Sequence, residues 1–97
     1  MATITITTTS VKPAGKQWFN ASESAKNTAY IAWARTFPGV TSFTGGAVDT
    51  NTWRAVTVFE SQTARDAFQV ACQLNENWLA RNVFNEANGI TSTRVQS

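Results

Sequence analysis

The chain has 97 residues, 42% of them hydrophobic and only 14% charged, with a formal net charge of +2. That length fits a single domain over 1–97, and the eight Lys and Arg are too scattered to form the basic footprint of a nucleic-acid binder. No apolar run approaches the ~20 residues that span a bilayer, and with Cys72 as the only cysteine there is no intrachain disulfide.

Thr3 to Val11 alternates Thr with Ile and is rich in β-branched residues, which predicts a strand. Lys12-Pro13-Ala14-Gly15 ends it, because proline cannot donate to a ladder. A helix is expected from about Asn20, where Asn20 and Glu23 have capping-box spacing. Ala25, Ala29, Trp33 and Phe37 recur every fourth residue, and Tyr30 and Ala34 widen that face. Pro38-Gly39 stops the helix. Val40 to Val48 predicts a second strand, weakened by Gly45-Gly46, with Asp49-Thr50-Asn51 as a hairpin loop.

Trp53 to Glu60 is the strongest strand. Trp53, Ala55, Thr57 and Phe59 share one face; Arg54, Val56, Val58 and Glu60 share the other. Apolar residues on both faces mean that both are covered. Ser61 is a fitting N-cap for the next helix. Ala64, Ala67, Phe68, Ala71, Leu74 and Trp78 follow at helical spacing. The pattern runs on through Leu79, Val83 and Ala87, in a separate short helix or the same one, to Asn88-Gly89. Ile90 to Gln96 predicts a final strand.

The order strand–helix–strand–strand–helix–strand gives an α+β fold: a four-stranded antiparallel sheet with its helices on one face. The other face, with Val56, Val58 and Ile4 or Ile6, is then too apolar to be left in water. A second copy related by a twofold axis is the simplest cover, making a sheet-to-sheet homodimer.

Phe37-Pro38-Gly39-Val40-Thr41-Ser42-Phe43, Trp53-Arg54-Ala55-Val56-Thr57-Val58-Phe59-Glu60-Ser61, Ala64 and Ala67-Phe68 together resemble the antibiotic biosynthesis monooxygenase-like family. Its members are dimeric α/β barrels of the ferredoxin-like group. The resemblance covers roughly residues 37 to 70 and is weaker evidence for chemistry than for fold. It implies a homodimer with a pocket in each subunit, between sheet and helices. Quinol-oxidising members use no metal or flavin, so no cofactor is expected. They orient substrate with an Asn and a Trp on the third strand, and those positions fall here on Ala55 and Phe59. Haem-degrading members need an axial His near the position of Trp78, but this chain has no His, which argues against haem degradation.

The resulting expectation is a cytoplasmic, cofactor-independent monooxygenase-like homodimer whose pocket takes a small aromatic molecule of the quinol type. Trp33, Phe43, Thr57, Phe59, Phe68 and Trp78 are its expected walls, with Thr57 the inward polar group of the third strand. Helix-face aromatics at this spacing also serve as core filling. Tyr30, Asn75 and Asn77 are further hydrogen-bonding candidates, although surface solvation is the commoner fate of such residues. Trp53 is a further aromatic candidate, and Arg54 falls on the sheet face opposite the pocket. Cys72 lacks a base that would make it a nucleophile and fits burial better. With no His and one Cys, no metal is expected. No catalytic residue is assigned, because acid–base catalysis needs a titratable group with a tuned pKa and the chain is poor in them. A non-catalytic homodimer, binding or structural, therefore stays open beside the enzyme.

Overall fold

A computed structural model describes residues 3–97. Strand β1 spans Ile4–Val11, helix α1 Phe19–Ser22, helix α2 Ser24–Thr36, strand β2 Val40–Asp49 and strand β3 Thr52–Phe59. Helix α3 spans Gln62–Cys72, helix α4 Glu76–Ala87 and strand β4 Thr91–Gln96. The strands form one sheet in the order β2-β3-β1-β4, and every neighbouring pair is antiparallel. This is the ferredoxin-like α+β arrangement expected from the element order. No helix among the described residues is long and apolar enough to cross a membrane.

The first expected helix is broken in two, and the second run forms two separate helices, one of the two expected alternatives; both breaks have local reasons. Glu23 sits at φ −127°, ψ 57°, outside helical geometry, and separates α1 from α2. Asn75 ends the run begun at α3 by accepting from the amides of Asn77 and Trp78 at 2.9 and 3.0 Å, which makes it the N-cap of α4. Ser61 caps α3 as expected, accepting from the Ala64 amide at 3.1 Å.

Strand β2 owes its two-sidedness to bulges. Val40 pairs with Phe59 and Ser42 with Val58, so Thr41 is an extra residue. Without it Val40 and Phe43, three apart, would face opposite ways. With it, both pack on the core. Gly39, at φ +90°, immediately precedes this strand; a Cβ there would collide with that of Ala64. Only glycine allows β2 to start so close to α3.

The core lies between sheet and helices, around Ile6, Tyr30, Ala34, Phe59, Ala64, Phe68 and Cys72. Three expectations are corrected here. On α2 the buried pair is Tyr30 and Ala34, whereas Ala25 and Ala29 are exposed. Tyr30, with Trp33 and Phe37 packed against the core beside it, offers far more apolar surface than Ala25 and Ala29, and that sets the rotation of the helix. Leu74, Leu79 and Val83 are exposed, because the break before Asn75 turns α4 relative to α3. Ile4 and Ile6 face the helices, since they pair with Phe59 and Thr57. The uncovered sheet face therefore carries Thr5, Thr7 and Thr9 beside the half-buried Val56 and Val58.

Candidate functional site

Between the sheet and the helices lies an open-ended cavity of about 320 Å³, within the range of small-molecule sites. Its floor is the helix-facing side of the central strands. Ile6, Thr8 and Ser10 come from β1, and Trp53, Ala55, Thr57 and Phe59 from β3. These residues face the same way because strand side chains alternate and the β1–β3 register pairs Ile6 with Thr57 and Ser10 with Trp53. Gly45 of β2 lies beside them. A Cβ at Gly45 would come within 3.0 Å of Trp53 Nε1, so its absence leaves room for the indole.

Helices supply the roof. Asn27, Tyr30 and Ile31 of α2 reach in at i, i+3 and i+4; Phe68 and Cys72 do so from α3; Trp78, Arg81 and Asn85 from α4. Trp18 and Trp53, with ring centroids 6.1 Å apart, stand together on the lining. Lys12 Nζ donates to Asn51 Oδ1 at 3.1 Å and lies 5.8 Å from the Trp18 ring centroid. This fixes the loop that carries Trp18.

Of the six residues singled out in the sequence, Phe43, Thr57, Phe59, Phe68 and Trp78 lie together on this wall. Trp33 is elsewhere. Its ring stacks on Phe68 at 5.4 Å and meets Phe37 and Tyr30 at 5.4 and 5.9 Å, behind the lining. The four-residue spacing through Trp33 marked a packed face one step round the helix from the cavity, which Ile31 occupies instead. Ala55 and Phe59, where the resemblance places an Asn and a Trp, both face the cavity. Thr57 is buried and offers a hydroxyl. Asn75 spends its side chain on the α4 cap, and Arg54 is exposed on the opposite sheet face.

Tyr30, Cys72 and Arg81 are the groups of the wall whose pKa values burial displaces. Burial pushes the Tyr30 phenol well above its ordinary pKa, and the nearby positive charge of Arg81 only partly opposes this. Burial likewise raises the Cys72 thiol, with the Tyr30 hydroxyl opposing. At neutral pH Tyr30 is a hydrogen-bond donor, and Cys72 is an un-ionised thiol with little nucleophilicity. Arg81 lies with its Cζ 5.2 Å from the Tyr30 ring centroid. Burial, reinforced by Arg94, lowers its pKa. Among the described residues no group of three His, Cys, Asp or Glu is placed to hold a metal. The site's chemical means are hydroxyls, amides and guanidiniums on an aromatic wall.

Sequence reasoning missed Arg81, Asn85 and Asn27. The signal was the i, i+3, i+7 spacing of Trp78, Arg81 and Asn85, hidden by the more apolar Leu79 and Val83 beside it.

No protein-family model matches the chain, and no curated protein matches it in sequence. Solved structures do match in shape. SnoaB, a cofactor-independent oxygenase from Streptomyces nogalater, superposes with a TM-score of 0.67 at 15% identity, over 98% of this chain and 90% of that one. A candidate antibiotic biosynthesis monooxygenase from Deinococcus radiodurans gives 0.69 at 6% identity, over 96% and 89%. This chain has the fold of the antibiotic biosynthesis monooxygenase-like proteins. PA3566 from Pseudomonas aeruginosa shares it as well, with a TM-score of 0.67 at 15% identity over 100% and 95% of the two chains. At such identities the likeness is one of fold, and the site must be argued from its own residues.

Proposed function

We propose that the chain is a cytoplasmic, single-domain, homodimeric oxygenase-like protein that binds a small electron-rich aromatic molecule and oxidises it without metal or flavin. The observation that carries this reading is the aromatic-walled cavity between sheet and helices, in a fold shared with a cofactor-independent oxygenase. Phe43, Phe59, Phe68 and Trp78 would hold the ring. Thr57 and Tyr30 would orient its oxygen substituents, Tyr30 as donor because its phenol stays protonated. In such a reaction the quinol supplies four electrons to O2. One oxygen atom forms a bond to a ring carbon, the other leaves as water, and the product is a hydroxyquinone. Among the described residues no carboxylate or imidazole lines the cavity, so the substrate's own ionisation would have to supply the reactive anion. The uncovered sheet face, with Val56, Val58 and the exposed Val11 and Val95, would be buried against a second copy.

A second reading, a non-catalytic ligand-binding dimer, is favoured by one observation. The two positions that the resemblance gives to an Asn and a Trp are Ala55 and Phe59 here, so the cavity keeps its shape with fewer polar groups. Oxygen uptake separates the two. Incubation with a panel of substituted hydroquinones should raise oxygen consumption above the autoxidation rate, and Thr57→Val should lower the increment about tenfold, the worth of one positioning hydrogen bond. Binding of the same quinols with no enhanced uptake would leave the binding reading standing and remove the oxygenase.

A further inference from the structure

The charged groups on the cavity wall are all of one sign. Arg35, Arg65, Arg81 and Arg94 line it, and no Asp or Glu does among the described residues. Two of the four are engaged. Arg35 Nε donates to the Phe43 carbonyl at 3.2 Å, and Arg65 hydrogen-bonds Gln69 and lies 3.6 Å from the Asp66 carboxylate. Arg81 and Arg94 form no ion pair within 4.0 Å among the described residues. Glu86 lines an adjoining surface groove with both of them but pairs with neither.

Arg81 is the telling one. Its Nε is enclosed by protein and has no hydrogen-bond partner. An unpaired buried donor costs about 1–3 kcal/mol, more when charged, and buried guanidiniums are ordinarily paired. A helix that carries one to a cavity wall, beside a second unpaired guanidinium, holds a place for an anion. The two terminal Nη groups of a guanidinium also present parallel N–H donors, which match the two oxygens of a carboxylate. A phenolate must take both donors on one oxygen, a poorer match to the fork than two parallel bonds.

We propose that the cavity binds a flat aromatic carboxylate, with its carboxylate on the terminal Nη groups of Arg81, Arg94 adding charge, and its ring between Phe59, Phe68 and Trp78. This rests on the reading of the cavity as a ligand site and not on oxidation. It makes the preferred oxygenase substrate, or the ligand of a binding module, an aromatic acid in place of a neutral quinol.

The test uses 2-naphthoate and its uncharged amide, neither of which is an oxidisable quinol. Titration of the full chain is followed by quenching of the tryptophans on the wall, Trp18, Trp53 and Trp78. The acid should bind about tenfold or more tightly than the amide, as a charge-assisted pair requires. Arg81→Gln should erase that preference by lowering the acid's affinity to about that of the amide, and its urea unfolding curve certifies the fold. Arg81→Lys should keep a part of it, because charge survives and the fork does not. Arg94 sits on an exposed strand, so Arg94→Gln keeps the test alive should the Arg81 variants not fold, and it should weaken the acid selectively by about two- to threefold. Equal affinity of acid and amide, or a preference untouched by both Gln variants, overturns the proposal. Binding of the acid without oxygen uptake on any quinol, carboxylated hydroquinones included, would remove the oxidation alone; binding of neither naphthalene would remove both readings.

Discussion

Helices α3 and α4 follow each other across a three-residue break and use their faces in opposite ways. On α3, Ala64, Phe68 and Cys72 are buried at i, i+4 and i+8, and the exposed positions are polar apart from Ala67 and Val70. On α4, Trp78, Arg81 and Asn85 face the cavity while Leu79 and Val83 face solvent, and among its described residues none is fully buried. One helix obeys the binary pattern of a core element and the other inverts it. Local rules of this kind are broken where function demands it. The comparison divides the wall into a structural side, built by α3 and β3, and a chemical side, built by α4 with Tyr30 of α2.

The largest test of that division is a pair of truncations. Phe68 meets Trp33, Phe37 and Phe59 at ring distances of 5.3–5.4 Å and is buried. Phe68→Ala should cost about 3–5 kcal/mol in urea unfolding, as other core phenylalanines do. Trp78 is the larger side chain but only half-buried, so Trp78→Ala should cost about 1–2 kcal/mol. It should instead weaken aromatic ligands. If the two truncations destabilise alike, Trp78 is core and the chemical side loses its wall.

Which of these features the sequence could announce follows from the range of the forces behind them. Ser61 as a cap, the Pro38-Gly39 stop and the two faces of β3 depend on neighbours within a few residues, and each is where the pattern put it. The order of elements was enough for the sheet topology. Hidden from it were features fixed across long sequence distance. The Thr41 bulge shows only in the pairing of β2 with β3. The displacement of Trp33 by Ile31 from the cavity wall depends on how far α2 rotates to bury Tyr30. The role of Arg81 depends on Tyr30, fifty-one residues earlier, and on Arg94 of the last strand. Scattered in sequence, the arginines converge only in space.

A smaller effect sharpens the chemical side. If Arg81 is held for a ligand, the free protein bears a cost for it. Arg81→Met keeps the length and apolar stem of the side chain and removes the unpaired Nε–H and the charge. Unfolding in urea without ligand should show the variant equal to or about 1 kcal/mol more stable than the parent, because replacing buried charge by apolar volume is commonly neutral or stabilising. The cation–π contact with Tyr30 works against this by about 0.5–1 kcal/mol. A loss of 2 kcal/mol or more, about what breaking an essential buried hydrogen bond costs, would make Arg81 a structural residue and α4 an ordinary core helix.

The smallest effect belongs to the residues that the binary pattern would have made most important. Val83 is 69% exposed and Leu79 44% exposed. Were they core, Val83→Thr and Leu79→Gln would each cost several kcal/mol, since a polar group would be buried where an apolar one had packed. On the outer face of α4 the changes should stay within about 0.5 kcal/mol, the usual range for surface substitutions, with Leu79→Gln the larger because more of it is covered. Sedimentation of both variants decides what else that face does. The proposed pairing of subunits uses the sheet, on the opposite side of the molecule, so the assembly state should not move. A shift in it would mean that α4 meets a second copy, and that its outward Leu and Val are apolar for the ordinary reason after all.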